Sequence, residues 1–280
     1  ILDTSGNYNF TSIRNLEIDT TNPTLTTITP TNNTNYNYNN ITINLSSSEE
    51  GTGFIVSDLD RSLVSWWRMD DLNSSGDVVD YFGVNNGSVE GGAVQNTSGK
   101  FGRAFTFDGN DDYVTLSNIN YIANNTVSIS AWAKITDCSF YPTIFSGGGG
   151  ILELRLLGSN CKPEFVPSGS IDATSPTNIS FNTWHHLVGV YNGTDAEIYV
   201  DSVLKDTHRG AALDSTNSII GGRGAVDLWN GSIDEVLIFN RSLSASEILS
   251  LYNATRIDFQ INLSDANHTY KAYTSDLAGN

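Results

Sequence analysis

Basic residues are scarce in this chain of 280 residues, which has 14 lysines and arginines against 31 aspartates and glutamates. The formal net charge of −17 argues against nucleic acid as a partner, because phosphates would be repelled, and against electrostatic attachment to an anionic membrane. No apolar run approaches the roughly 18 residues of a membrane span. The start, Ile1 to Thr4, lacks the charged and then hydrophobic residues of a signal peptide, so we expect a secreted chain that has been processed or cut from a longer one.

Histidine and cysteine are also few, with four and two residues. Cys138 and Cys161 have no CxxC or CxxH neighbours, which argues against a zinc site. In an oxidising compartment they would form a disulfide worth roughly 3 kcal/mol, and two separate buried thiols are the alternative. His185 and His186 are adjacent, so on a strand they point to opposite faces and cannot share one metal ion.

Neither of the two acidic segments that we consider for glycoside hydrolysis places paired carboxylates on one face of a strand. Asp234 and Glu235 are adjacent and would point to opposite faces of a strand, and Glu153 has no acidic residue two positions away. No reactive cysteine or other activated nucleophile is visible either. We therefore expect no enzyme and no catalytic residues.

Sequons of the form Asn-x-Ser/Thr are abundant, and they indicate a glycosylated protein that is extracellular or at the cell surface. Fifteen are spread over the whole chain, beginning at Asn9, Asn32, Asn40, Asn44, Asn73, Asn86, Asn96, Asn124, Asn178, Asn192, Asn230, Asn240, Asn253, Asn262 and Asn267.

Short alternating apolar segments separated by Asn, Asp and Gly turns predict an all-β sandwich or jelly roll. In one of them Val127, Ile129 and Ala131 alternate with serines, and a later segment places Ile233, Glu235, Leu237 and Phe239 on one parity. A single helix of about two turns is predicted after the capping box at 244–247.

Residues 61–255 resemble the laminin-G-like jelly rolls of the concanavalin A-like superfamily. The motifs follow in the family's order: SLVSWWRMDD at 62–71, GRAFTFDGNDDYV at 102–114, WHHLVGVY at 184–191, IYVD at 198–201, GSIDEV at 231–236 and NRSL at 240–243. The resemblance implies a fold that hosts many functions.

The same resemblance implies a structural calcium ion near Asp108 and Asp234, with Asp112 and a group near Asp70 completing its shell. Two plainer roles stay open, since Asp108 would also accept amide hydrogen bonds in its own turn and Asp234 would serve as an interior acceptor. For a sugar ligand, Trp229 is the expected exposed ring, because it stands beside a turn.

The flanking segments differ from the jelly roll. Residues 23–60 and 256–280 each predict two strands, and the DLAGN ending looks like the penultimate strand of prokaryotic surface Ig-like repeats. We expect a discontinuous Ig-like sandwich with the jelly roll 61–255 inserted in one of its loops.

Residues 1–22 look like the strand that follows such an ending. Tyr8, Phe10, Leu16 and Ile18 share one parity, so they would fill a sandwich groove from a single face. We expect this segment to enter the next copy of the chain, which would give a head-to-tail filament through donor-strand complementation. The alternatives are a tandem-repeat protein that carries a carbohydrate-binding or adhesive module, with glycans as partners, and a strand that folds back on its own chain.

Overall fold

The computed structural model describes residues 24–29, 31, 36, 40–47, 54–116, 119, 125–147, 152–168, 171–209, 218–253, 256–263 and 266–275. The first ten strands are β1 (Leu25–Thr29), β2 (Asn40–Ser47), β3 (Phe54–Leu59), β4 (Leu63–Trp67), β5 (Gly87–Glu90), β6 (Val94–Asn96), β7 (Ala104–Asp108), β8 (Tyr113–Leu116), β9 (Val127–Ile135) and β10 (Thr143–Ser146).

The second ten begin with β11 (Glu153–Leu157), which a 3₁₀ turn (Gly158–Asn160) joins to the next strand. They continue with β12 (Lys162–Ser168), β13 (Ile171–Thr174), β14 (His185–Tyr191), β15 (Asp195–Val200), β16 (Val203–Arg209), β17 (Ile219–Ile220), β18 (Asn230–Phe239), β19 (Arg256–Asn262) and β20 (Tyr270–Ser275). One α-helix, α1 (Ala245–Asn253), lies between β18 and β19.

Two large antiparallel sheets form the jelly roll. The seven-stranded sheet has the order β13-β12-β11-β10-β17-β8-β5. The eight-stranded sheet has the order β16-β15-β14-β9-β18-β7-β6, and β4 pairs with the free part of β18. Apolar side chains of both sheets meet in one core. The predicted all-β class and jelly roll with one short helix are confirmed.

The eight-stranded sheet is buried on both faces. Along β9, Val127, Ile129 and Ala131 enter the core between the sheets. Trp132 points the other way, into a second apolar cluster that α1 and β3 help to cover. Because a strand alternates its side chains, one segment supplies two cores.

A bulge in β18 makes the predicted single parity of its apolar residues wrong. Ile233 lies in the core between the sheets, whereas Leu237 and Phe239 lie in the outer cluster. The register with β9 shifts between Asp234 and Leu237, and Glu235 has a φ of 49°. One extra residue in a strand sends the following side chains to the opposite face.

The predicted capping box begins α1. Glu247 Oε2 accepts a hydrogen bond from Ser244 N at 2.9 Å, and Ser244 Oγ accepts one from Glu247 N at 3.4 Å. The Glu247 carboxylate also binds the Arg241 guanidinium at 2.6 Å. Ile248 and Leu251 anchor the helix against the eight-stranded sheet. None of the helices in the described ranges is long and apolar enough to cross a membrane.

The strands that precede the jelly roll in the sequence pair with the strands that follow it. Strand β2 pairs with β1 and with all seven residues of β19, and β3 pairs with all six residues of β20. Ile41, Ile43 and Leu45 of β2 pack with Tyr270 and Ala272 of β20 in a small apolar cluster. Two sheets thus face each other, while the Ig-like domain and its boundaries stay a prediction.

The sheet of β3 and β20 lies between this small cluster and the jelly roll. Val56 of β3 is buried in the outer cluster of the jelly roll, where Tyr273 of β20 also packs. At the junction, Asp60 N donates to Thr269 O, and Thr269 N donates to Asp60 Oδ1, both at 2.7 Å. His268 Nδ1 lies 2.7 Å from Asp60 Oδ2. The flanking strands and the jelly roll therefore share packed side chains.

Candidate functional site: a pocket at one end of the jelly roll

Three loops meet around a pocket of about 680 Å³ at one end of the jelly roll. They are the β7–β8 turn, the loop after β9 and the loop from β17 to β18. Sheet pairing brings them together, because Asn230 at the start of β18 is opposite Asp108 at the end of β7, and Gly231 is opposite Ile135 at the end of β9. The lining residues are Asp108, Gly109, Asn110, Asp137, Ser139, Phe140, Arg223, Val226, Asp227, Leu228 and Asn230.

Hydrogen bonds to the neighbouring backbone fix the pocket walls. Thr136 Oγ1 donates to Asn230 O at 2.9 Å and to Asn230 Oδ1 at 2.6 Å. Thr143 N donates to Asp227 O at 3.0 Å, and Trp229 N donates to Gly221 O at 3.0 Å. These bonds tie two of the three loops to the strands around them, so the walls are preformed.

The disulfide adds a covalent anchor to the loop after β9. Cys138 and Cys161 are bonded, with an S–S distance of 2.02 Å, which joins the loop after β9 to the turn before β12. Both cysteines are buried, but Phe140 two residues further on is 79% exposed. An anchored loop therefore presents an aromatic ring to solvent at the pocket.

The pocket carries more negative than positive charge. Asp108 and Asp137 are exposed at its edge, and Asp227 lies deeper. Arg223 is the cation of the lining, and it is paired with Asp227 and lies 3.5 Å from Glu153. Hydrogen bonds from the Asn110 side chain and backbone lower the pKa of Asp108, so this group stays ionised at neutral pH.

Beside the pocket, three carboxylates come together in the β7–β8 turn. Oxygens of Asp108, Asp111 and Asp112 all lie within 4.8 Å of one another. Asp112 is buried and accepts a hydrogen bond from Asp108 N at 2.8 Å. Such hard oxygen donors fit a calcium ion. The structure thus brings together Asp108 and Asp112 of the predicted calcium ligands and adds Asp111.

The other two predicted calcium ligands lie elsewhere. Asp234 is four residues along β18 from Asn230, the partner of Asp108, which corresponds to about 13 Å. Its carboxylate accepts hydrogen bonds from Lys100 N at 2.7 Å and Phe101 N at 3.0 Å, the interior-acceptor role. Burial raises the pKa of Asp234 well above its usual range, and the nearby Asp70 carboxylate raises it further. The four residues therefore fall into two separate groups.

Glu235 is buried next to Asp234 rather than pointing away into solvent. The bulge interrupts the strand at this pair, so the alternation expected of neighbours does not hold. Trp66 Nε1 donates to Glu235 Oε2. Burial, together with Asp234 and Asp70, raises the pKa of Glu235 well above its usual range. This carboxyl group is held in the interior and does not line the pocket.

The interpretation of Trp229 as an exposed sugar-binding ring is wrong, because its side chain is fully buried. The ring belongs to the core between the two sheets. Its neighbours Leu228 and Asn230 line the pocket instead. A turn position alone did not reveal that the residue points inward, and Phe140 is the exposed aromatic ring of the site.

Ser180, His185 and Asp201 are arranged in the order of a hydrolase triad, which the sequence did not reveal. His185 Nδ1 lies 2.8 Å from Asp201 Oδ2, and His185 Nε2 lies 2.9 Å from Ser180 Oγ. However, Ser180 N also donates to His185 Nε2 at 3.2 Å. An imidazole nitrogen offers one lone pair, and the backbone amide already uses it. The arrangement therefore caps a loop rather than activating a nucleophile.

Two buried glutamates on neighbouring strands form the other cluster that sequence reasoning missed. Arg155 pairs with Glu164 at 2.6 Å and with Glu153 on its own strand. Hydrolysis of a glycoside needs one protonated acid and one free carboxylate beside the sugar. Here both carboxylates are bound to one guanidinium, which indicates a structural ion-pair network. Only cross-strand pairing, invisible in the sequence, brings Glu164 to Glu153.

Most of the described sequon asparagines are accessible. The exposed ones are Asn40, Asn73, Asn86, Asn178, Asn192, Asn253 and Asn267, and the half-buried ones are Asn44, Asn96, Asn230 and Asn240. Asn9, Asn32, Asn124 and the side chain of Asn262 lie outside the described residues. So do Tyr8, Phe10, Leu16 and Ile18 of the predicted donor strand.

A two-sheet jelly roll with a loop pocket at one end of its strands defines a lectin-like β-sandwich. The sequence model of the concanavalin A-like lectin/glucanases superfamily matches residues 108–249, just over half of the chain. The chain belongs to this superfamily.

Solved structures share the fold at low identity. Domain 4 of AbnA, an extracellular arabinanase of Geobacillus stearothermophilus solved with arabinotriose, is 19% identical, with a TM-score of 0.56 over 68% of this chain and 98% of that one. The binding domain of Paraclostridial Mosquitocidal Protein 1 is 16% identical, with a TM-score of 0.56 over 69% of this chain and 52% of that one.

A sialidase of Trypanosoma rangeli is 19% identical, with a TM-score of 0.52 over 68% of this chain. The match spans only 32% of the sialidase. No curated protein sequence matches the chain significantly. At these identities the likeness concerns the fold.

Proposed function

We propose that the chain is a non-enzymatic carbohydrate-binding module of an extracellular or cell-surface protein. The observation that carries this proposal is the preformed pocket, in which the exposed ring of Phe140 stands beside acidic and amide side chains. Carbohydrate offers apolar C–H faces and many hydroxyl groups, so it suits one aromatic ring with several polar partners. The arabinotriose complex of the AbnA domain supports this reading of the fold.

The polar groups that line the pocket can bind sugar hydroxyl groups both as hydrogen-bond acceptors and as donors. Asp108 and Asp137 are acceptors, whereas Asn110 and Asn230 carry an acceptor and a donor each. Ser139 Oγ donates to Asp137 Oδ2 at 2.6 Å, which orients that carboxylate. A pocket of this volume lies within the range of small-ligand sites.

A glycan array probed with the full chain tests the proposal. We expect selective binding, which Phe140→Ala reduces by at least tenfold because the stacking ring is lost. Phe181→Ala is the matched control, since Phe181 is also an exposed ring, at 51%, and does not line the pocket. If no glycan binds, or if both variants lose binding equally, the pocket is not a carbohydrate site.

Calcium is part of the proposal as a structural ion. Asp108, Asp111 and Asp112 would hold it, and its charge would offset their mutual repulsion beside the pocket. The disulfide and the exposed sequons support an extracellular location with several N-linked glycans. Peptide mapping of the natural protein tests which asparagines carry them.

We further propose the filament with donor-strand complementation as a second function, because β20 has an open edge. Strand β20 pairs with β3 on one side, and among the described strands none pairs with its other side. An unpaired edge binds an added strand through backbone hydrogen bonds. The segment 1–22, with Tyr8, Phe10, Leu16 and Ile18 on one parity, would be donated to this edge by the next copy.

Deletion of residues 1–20 tests the filament. We expect a monomer that binds a free peptide of residues 1–22, measured by light scattering and by peptide titration. The substitution Phe10→Asp should weaken peptide binding, and Asn9→Asp serves as a control of opposite parity. A deletion variant that still polymerises would refute donor-strand complementation, and a covalent tandem array would then be the reading to test.

A further inference from the structure

We infer that the pocket selects a cationic amino-sugar chain over acidic glycans, an inference that rests on the proposed carbohydrate-binding function. The charges in and around the pocket carry it. Nothing in the fold itself requires this preference, since the same β-sandwich serves many ligands.

The cation of the pocket is already neutralised. Arg223 pairs with the Asp227 carboxylate, and its other nitrogen lies 3.5 Å from Glu153, which is fully buried. Those carboxylates lower the potential that a ligand would meet at Arg223. An acidic sugar would have to displace one of them, and Glu153 would then be left buried without that partner. Arg223 is therefore a poor anchor for a uronate or a sialate.

The carboxylates at the pocket edge have no cation among the described ion pairs. Asp137 is exposed, and its carboxylate accepts one described hydrogen bond, from the neutral hydroxyl of Ser139. Asp108 is exposed, accepts a hydrogen bond from the neutral amide of Asn110, and shares its turn with Asp111 and Asp112, so one net negative charge remains there even with the proposed calcium ion bound. The field at this edge is negative, and the chain as a whole carries −17. A ligand ammonium group is attracted here, and a ligand carboxylate is repelled.

Phe140 adds to the same preference. Its ring is 79% exposed, and the electron-rich face of an aromatic ring attracts a cation as well as the C–H face of a sugar. A protonated glucosamine unit offers both groups within one ring. Two exposed carboxylates, each worth roughly threefold in affinity for one charge, give a preference of about tenfold over a neutral sugar.

Titration calorimetry of the full chain with three oligosaccharides of equal length tests the inference. The probes are a β-1,4-linked glucosamine oligomer, its N-acetylated counterpart and an oligogalacturonate. We expect the glucosamine oligomer to bind about tenfold more tightly than the N-acetylated one, and the oligogalacturonate to bind most weakly. The preference should shrink between 0.05 and 0.5 M salt, because screening weakens the charge term.

The variant Asp137→Asn should reduce affinity for the glucosamine oligomer about threefold more than affinity for the N-acetylated oligomer, because it removes a charge that favours only the first. Asp195→Asn, on β15 of the eight-stranded sheet and outside the pocket, is the control and should change neither. Equal affinity for the three probes, or tightest binding of the oligogalacturonate, would overturn the inference. If the array shows Phe140-dependent binding of an acidic glycan, the proposed function stands and this inference fails. If no glycan binds at all, both fail.

Discussion

Asp70 should make the protein less stable at neutral pH than at pH 4. Its Oδ1 accepts a hydrogen bond from Arg103 N at 2.7 Å, whereas Oδ2 is buried without a hydrogen-bond partner among the described residues. Burial raises its pKa from 3.8 to about 6, although Arg68 and the Arg103 amide oppose this effect. The native state therefore favours the protonated acid.

The sign and size of this effect on the free energy of unfolding follow from the linkage between proton binding and folding. A group whose pKa is higher in the folded state binds more protons there, so its stabilisation is complete below the unfolded pKa and is lost as the pH rises through the folded pKa. For Asp70 the loss falls between about pH 4 and pH 6. The two pKa values correspond to roughly 3 kcal/mol of unfolding free energy, an upper bound for the ionised group at pH 7.5.

Asn imitates the protonated acid and keeps the acceptor for Arg103. We expect Asp70→Asn to match the wild type at pH 4 and to exceed it at pH 7.5 by up to about 3 kcal/mol, measured by urea unfolding in EDTA. Asp71→Asn is the control, because it removes the neighbouring ion pair of 2.6 Å with Arg68 and should give no such gain. Equal or lower stability of Asp70→Asn at pH 7.5, with agreement at pH 4, would refute the reasoning.

Three further predictions concern stability. Replacing Cys138 and Cys161 by alanine should cost roughly 3 kcal/mol in urea unfolding under oxidising conditions, and an unchanged midpoint would argue against the entropic account. Gly189→Ala should lower the melting temperature by several degrees, because the new Cβ would lie 2.1 Å from the Phe165 ring; a variant as stable as the wild type would contradict that packing. Chelation by EDTA should lower the melting temperature of the wild type but not of Asp112→Asn. Identical shifts in both would refute a calcium site in the turn.

The sequence predicted the fold well where patterns are local. The alternation in β9 placed Val127, Ile129 and Ala131 on one face, and the capping box at Ser244 predicted where α1 begins. Both signals depend on residues a few positions apart, which the chain order preserves. The helix length also followed, since the 9 residues of α1 make about two and a half turns, close to the two turns predicted.

The site was harder to predict because it depends on contacts across the fold. The pocket combines three loops more than twenty residues apart, and no single motif marks it. Trp229 was interpreted as exposed from its turn position, although it fills the core. The bulge at Glu235 changed the face of the residues that follow, and a hydropathy pattern does not encode such an insertion. Motif order predicted the family, but not the pocket.

The pairing of β2 with β19 and of β3 with β20 has a mechanical consequence. The jelly roll lies in sequence between the two partners of each pair. A pulling force applied to residues 24 and 275 is therefore carried by the backbone hydrogen bonds of these pairs, together with those between β1 and β2. Tension would reach the jelly roll only after both pairings had broken. The pocket in the loops at the other end of the jelly roll would keep its shape while the flanking strands carry the load.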